Sequence, residues 1–295
     1  ASFEKKGKEF ENILKMGRTE LQDAVPMTLG QEFNAFANQL KASIDELKQA
    51  EAHLYVINMG GTAIGTKLTA QKGFVENCAK HLAELTGKKI VPATDLIAAT
   101  SDLSGFVNYS SALNTLAVRL SKIASDLILL ASGPRTALFE INLPPLQPGS
   151  SIMPGKVNPV LPELVNLVTF RVMGNDVAVT IAAKTGQLQL NAYEPLAISA
   201  ILESQKLLTN TMKAFKTKCV DGITANEDVM TKYINQSVGI VTALNPVLGY
   251  EKTTELAKEA LETGKGILEL IREKKLLTED QIKELLDPKK MTGQE

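Results

Sequence analysis

The sequence predicts an all-α fold, a long central helix bundle with a small helical C-terminal domain, from its composition, its apolar periodicity and the confinement of its prolines. Of 295 residues, 44% are hydrophobic, only 5% are aromatic and none is Trp. That bias toward Leu, Ala and Ile suits helices better than sheets and argues against an all-β fold. Of the twelve prolines, Pro134, Pro144, Pro145, Pro148, Pro154, Pro159 and Pro162 all fall between residues 134 and 162. Proline cannot continue a helix interior, so this stretch is expected to be irregular and its flanks are free to form long helices.

The first apolar seam runs Phe33, Phe36, Leu40, Ile44, Leu47, with Leu54 one heptad further. It predicts a helix from about Thr28 to Met59, roughly 45 Å long at 1.5 Å per residue. A second seam, Phe106, Tyr109, Leu113, Leu116, Leu120, Ile123, Leu127, Leu130, alternates threes and fours until Gly133-Pro134 ends it. A third helix is expected from about Leu161 to Gln187. A fourth opens at Pro195, a favoured first helical residue, and reaches about Val220. Beyond Asp221-Gly222 the elements shorten, Asn245-Pro246 and Gly249 read as turns, and a capping box from Thr278 to Gln281 opens the last helix. The expected division is a bundle domain over 1–224 and a small helical domain over 225–295. Wide apolar faces on several bundle helices predict packing against other subunits.

Charge and motif content exclude several functions. With 32 basic and 33 acidic side chains, the chain lacks the positive field that nucleic-acid binding needs. Nothing approaches 18 consecutive apolar residues, and the charged start Ala1-Ser2-Phe3-Glu4-Lys5-Lys6 has no signal-peptide core. A cytoplasmic protein with no membrane partner is expected. Cys78 and Cys219 have no CxxC partner and read as buried small hydrophobes, and His53 and His81 have no second His or Cys at ligand spacing. No metal-ligand set is therefore expected. In Gly60-Gly61-Thr62-Ala63-Ile64-Gly65-Thr66-Lys67 the intervening Thr66 breaks the phosphate-loop order, so those glycines read as a close backbone approach or a break near a cleft.

Gly149-Ser150-Ser151-Ile152-Met153-Pro154-Gly155-Lys156-Val157-Asn158-Pro159 is different. Two hydroxyls, a cation, an amide and two glycines stand in one loop between long helices. Backbone N–H groups of such a loop can form an oxyanion site, Lys156 can neutralise a carboxylate, and Asn158 offers two donors and an acceptor. Anion binding is the reading of that mixture.

This loop resembles the signature loop of the aspartase/fumarase superfamily. Gly17-Arg18-Thr19-Glu20-Leu21-Gln22-Asp23-Ala24 is similar to a second block of that superfamily, Gly60 to Gly65 to its GGTAxG segment, and Leu276 to Met291 to its C-terminal helix pair. Val160-Leu161-Pro162-Glu163-Leu164-Val165-Asn166 and Gly186-Gln187-Leu188-Gln189-Leu190-Asn191 resemble the aspartate ammonia-lyases more than the fumarases. The resemblance implies a homotetramer whose active sites each draw on three subunits, and the reaction L-aspartate ⇌ fumarate + ammonia. It implies Ser150 as the base that takes the Cβ proton, Ser151 on the β-carboxylate, and Thr19, Lys156 and Asn158 on the other carboxylate. Glu20 falls near the amino end of the substrate, where relatives often carry His or Gln, and Glu163 matches a carboxylate that pairs with that position in hydratase relatives. Met153 and Glu163 are supporting residues. Read without the resemblance, Glu20 is a polar residue of a first helical turn.

No metal or organic cofactor is required by this chemistry, although magnesium activates some relatives. The resemblance also implies an N-terminal domain, with further substrate-binding groups, that has no counterpart in these 295 residues. The isolated chain is accordingly expected to keep the bundle and to be nearly inactive. Two other readings stay open: a fumarate hydratase or another lyase of the superfamily, and a non-catalytic helical assembly protein.

Overall fold

The computed structural model describes residues 1–147, 149, 152, 153 and 155–292, and of residues 238, 242, 243, 288 and 289 the backbone alone. In chain order the elements are α1 (Ser2–Glu9), β1 (Leu14–Thr19), β2 (Gln22–Thr28), α2 (Leu29–Glu51), β3 (Val56–Ile57), α3 (Phe74–Thr86), β4 (Val91–Pro92), α4 (Leu96–Ser101) and α5 (Ser104–Leu130). There follow β5 (Ile141–Asn142), α6 (Val160–Thr185), α7 (Glu194–Lys218), β6 (Thr224–Ala225), α8 (Glu227–Gln236), α9 (Val241–Leu248), α10 (Tyr250–Thr263), α11 (Ile267–Glu273), α12 (Glu279–Leu285) and α13 (Pro288–Thr292). The fold is helical, with three two-stranded sheets, β1–β2, β3–β4 and β5–β6, among the described residues. The chain forms two compact units, Ala1–Asn38 with Leu127–Pro159 and Lys216–Glu295, and Gln39–Asp126 with Val160–Phe215.

In the second unit the predicted seams become α5, α6 and α7. Leu113, Leu116, Leu120 and Ile123 of α5 are buried at the expected three-four spacing, each contributing about 1.5 to 3 kcal/mol by leaving water. Among the described residues α6 alone is long and apolar enough to cross a membrane. Its polar side chains nevertheless have protein partners. Asn175 donates to Glu203 Oε2 at 2.8 Å, Ser204 Oγ at 3.1 Å and the Ala200 carbonyl at 3.3 Å, all on α7. Asp176 accepts from Ser110 Oγ at 2.6 Å and Asn114 Nδ2 at 2.9 Å, both on α5. Such bonds fix helix register, because a buried amide or carboxylate left unpaired costs more than its bond gains. Leu167, Phe170, Val177 and Ile181 of α6 and Leu196 and Leu202 of α7 remain exposed.

Sequence and structure part company in three places. The first seam helix ends at Glu51 rather than near Met59, and a 3₁₀ turn, Ala52–Tyr55, carries His53. Pro246 lies inside α9 rather than in a turn, and the break comes at Gly249, whose φ of 78° ends the helix. The block from Gly17 forms a β-hairpin. Elsewhere the local reading holds at the Thr278–Gln281 capping box, present with both of its bonds, and at Cys219, which is buried; Cys78, also expected to be buried, is only half-buried. Gly65, at φ 92°, lies so close to Leu96 and Ile97 that a Cβ would sit 2.4 Å from their backbone, which accounts for the glycine by close approach.

In the first unit, Phe3, Phe10, Phe33 and Phe36 cluster with ring centroids 5.2 to 6.0 Å apart, joining α1 to the start of α2. A second core gathers Met16 of β1 with Ile234, Leu244, Leu256, Ile267, Leu270, Ile271 and Ile282 of the C-terminal helices. The hairpin thus packs on the helices that follow residue 225.

Candidate active site

The signature loop hangs from a short sheet. Ile141 pairs with Ala225 and Asn142 with Thr224. Asn142 and Asn226 exchange side-chain amide bonds of 2.7 and 3.1 Å, and Asn226 also donates to the Phe139 carbonyl at 2.9 Å. A Cβ on Gly222 would lie 2.6 Å from Pro144 Cγ, so Pro144 packs closely on the 3₁₀ turn, Val220–Gly222, that precedes β6.

Farther along, the loop closes on itself. Asn158 Nδ2 donates to the Gly149 carbonyl at 3.1 Å, and the Lys156 N–H donates to the Met153 carbonyl at 3.3 Å. Gly155 takes φ 81°, a conformation costly to any residue with a Cβ. Lys156 is exposed, as are Val157, Met153 and Ile152, the last at 86%. The structure therefore brings Gly149, Met153, Lys156 and Asn158 into one turn, with the lysine free of any ion pair among the described residues. Ser150 and Ser151 lie outside the described residues.

Thr19 and Glu20 sit at the tip of the β1–β2 hairpin. The pairing Arg18 with Asp23 and Thr19 with Gln22 leaves a two-residue turn, Glu20 at φ 51° and Leu21 at φ 64°. Two left-handed residues in succession make a turn of the primed kind that matches strand twist, usually supplied by Asn-Gly. This corrects the reading of Glu20 as a first-turn helical residue. Thr19 and Glu20 are exposed, and among the described residues no hydrogen bond or ion pair joins them to Lys156 or Asn158. Glu163 lies exposed in the first turn of α6, in the other unit.

Sequence reasoning missed the charges beneath the hairpin. Glu140, wholly buried, accepts from Arg18 Nη1 at 2.6 Å through Oε1. Its Oε2 lies 2.8 Å from Lys15 Nζ, an ion-pair distance without hydrogen-bond geometry. Lys15, itself 2% exposed, also donates to Glu32 at 2.6 Å. One signal was present: Glu140 is a lone acid in the largely apolar run Leu138-Phe139-Glu140-Ile141-Asn142-Leu143, just ahead of Pro144-Pro145, and a charge buried there demands partners.

A loop of this kind presents a cation and an amide beside glycine-rich backbone, an arrangement that can bind a carboxylate and stabilise charge growing on it. Among the described residues no three His, Cys, Asp or Glu side chains converge as metal ligands would.

Comparison with known proteins shows what this chain is similar to. A family model described as a lyase matches residues 1–174, and one described as the fumarase C C-terminus matches residues 240–293. The chain is 54% identical over 291 residues to an aspartate ammonia-lyase of Pseudomonas aeruginosa, covering 98% of this chain and 61% of that protein. With an aspartate ammonia-lyase of Escherichia coli it shares 52% identity over 283 residues, 96% of this chain and 59% of the other. Among solved structures, a fumarate lyase:delta crystallin from Brucella melitensis superposes with TM-score 0.92 at 48% identity, over 97% of this chain and 62% of that one. A class II fumarase from Schistosoma mansoni does so with TM-score 0.90 at 36% identity, over 98% and 64%. The chain thus spans about three fifths of the length of the relatives it matches. With its residues 1–174 matched by the lyase model and its fold shared with a fumarate lyase and a fumarase, this chain belongs to the lyase family.

Proposed function

We propose that the whole protein is an aspartate ammonia-lyase, which eliminates ammonia from L-aspartate to give fumarate. The observation that carries this reading is the 54% identity with an aspartate ammonia-lyase over 98% of the chain, signature loop included. In this reading Ser150 acts as an alkoxide and takes a proton from Cβ. The electron pair left behind delocalises into the adjacent carboxylate as an aci-carboxylate. It then returns to form the Cα–Cβ double bond, and the amine leaves as neutral ammonia with the C–N bonding pair.

A neutral serine is a poor base, so the alkoxide needs support from the backbone N–H groups of the loop and the Lys156 charge. The aci-carboxylate carries two negative charges, and loss of one preorganised donor to such a group costs about 2.7 to 4 kcal/mol. Ser151 contacts the β-carboxylate, while Thr19, Lys156 and Asn158 hold the other. Glu20 faces the substrate ammonium, and Glu163, with Met153, supports the site.

A homotetramer with each site built from three subunits belongs to the same proposal. It is supported by the exposed apolar side chains along α6 and α7 and by the hairpin and loop residues that stand exposed on this chain. A division at residue 225, an upstream domain completing the site, and a cytoplasmic location complete it. Fumarate hydration is the second reading, favoured by the match to a class II fumarase.

The test offers L-aspartate and L-malate separately to the protein encoded by its full reading frame and follows fumarate by ultraviolet absorbance. Fumarate from aspartate alone supports the proposal. Fumarate from malate alone moves the protein to the second reading.

A further inference from the structure

The hairpin that carries Thr19 and Glu20 is pinned on both strands at one level. Arg18 and Asp23 are cross-strand partners, the last pair before the Thr19–Gln22 pair that closes the turn. Arg18 reaches the buried Glu140 at 2.6 Å, donates to the Met16 carbonyl at 3.3 Å and lies 5.6 Å from the centroid of the Tyr233 ring. Tyr233 is fixed in turn by its hydroxyl, which donates to the carbonyls of Ala137 and Leu138 at 3.1 and 3.0 Å. On the other strand, Asp23 Oδ2 accepts from Ser237 Oγ at 2.7 Å, and Ser237 Oγ accepts the Gly239 N–H at 3.1 Å. Gly239 lies so close to Ala24 that a Cβ would stand 2.4 Å from the Ala24 carbonyl oxygen.

Above these two anchors stands a turn whose central residues, Glu20 and Leu21, are neither glycine nor asparagine yet both have positive φ. Leu21 is 66% exposed, so its own packing does not hold it there. Non-glycine residues persist in such conformations only where the surroundings over-determine them. Stability alone does not explain the anchors, because buried ion pairs contribute little more than apolar packing of the same volume. What the Arg18–Glu140 pair does supply is direction: one Arg18 nitrogen meets both the buried Glu140 carboxylate and the Met16 carbonyl, and this charge-assisted bond ties the strand that bears Arg18 to a fixed point.

We propose that Glu140, acting through Arg18, and Ser237, acting through Asp23, are positioning residues that hold Thr19 and Glu20 in register with the substrate. The inference rests on the reading above in which Thr19 holds a substrate carboxylate. It separates two jobs within the block from Gly17 to Ala24: Thr19 and Glu20 meet the substrate, while Arg18 and Asp23 aim them.

The experiment is a double-mutant cycle in the protein encoded by its full reading frame. Arg18→Lys, Glu140→Gln and Ser237→Ala are each made alone and again with Thr19→Ala, and kcat/KM for L-aspartate and for L-malate is measured together with helical circular dichroism. Residues that act through Thr19 lower kcat/KM by about tenfold alone and by less than about twofold once Thr19 is gone, because coupled residues are non-additive. The same fold-loss in both backgrounds, or no loss in either, overturns the inference. Should Glu140→Gln fail to fold, Arg18→Lys and Ser237→Ala carry the test, since each keeps the charge balance of the buried cluster. A wild-type protein that turns over neither substrate removes the functional reading and the inference with it, whereas an active wild type with additive variants removes the inference alone.

Discussion

The carbonyl oxygen of Lys156 occupies the space that a Cβ on Gly149 would need, 1.4 Å from its ideal position. No rotation of a side chain relieves such an overlap, since both partners are backbone. Gly149→Ala should therefore open the loop and lower kcat/KM at least about a hundredfold, the loss that follows when an oxyanion donor is displaced. The helices should keep their circular dichroism, because their seams do not involve the loop. A Gly149→Ala enzyme with near-normal turnover would contradict the close approach.

Asn158 holds the Gly149 carbonyl at 3.1 Å through Nδ2, and in the proposed site it also binds a substrate carboxylate. Asn158→Asp keeps the shape but removes the donor and adds a charge beside an anion site. We expect both KM and kcat to worsen, with a loss in kcat/KM greater than for Asn158→Ala, which adds no charge. Steady-state kinetics of the two variants decide the order.

Asn175 is buried and gives its amide hydrogens to Glu203, Ser204 and the Ala200 carbonyl. Its replacement by Ala should destabilise the bundle by about 1 to 3 kcal/mol, the cost of removing one partner from a buried network. Thermal unfolding followed by circular dichroism measures it, and an unchanged midpoint would show that water or another side chain replaces the amide.

Burial pushes the Cys219 thiol up to about 12 from an ordinary 9.0. Its folded-state value lies above its unfolded one, so the stability linked to it is fully present below pH 9 and is lost as pH rises through the window toward 12. Cys219→Ala should flatten that part of the stability profile. In the native protein a thiol reagent at pH 8 should label Cys78, which is half-buried, well before Cys219. Equal labelling rates would show that the α7 end opens readily.

How much could be read from the chain differs from element to element. The long helices were legible because their apolar spacing is set by covalent geometry: the Phe106–Leu130 pattern became α5, and Pro195 stands within one residue of the start of α7. The hairpin was not, because its turn uses Glu20 and Leu21 where Asn-Gly would have announced it. Pro246 misled for a related reason: a proline prefers turns, but the short helix around it tolerates one lost bond. In the candidate site, Lys156 and Asn158 were legible from residue type alone. Glu140 was not, since its role depends on Arg18 and Lys15, which lie more than a hundred residues away in sequence. Local chemistry shows in a sequence, whereas a buried charge shows its purpose only beside its partners.

The central claim is most directly tested by measuring fumarate and ammonia together, released from L-aspartate by the protein encoded by its full reading frame, as wild type and as Ser150→Ala. The account predicts equal amounts of both products from the wild type and almost none from the variant. Equal release that survives Ser150→Ala would contradict the assigned base, and fumarate appearing only from L-malate would contradict the reaction itself.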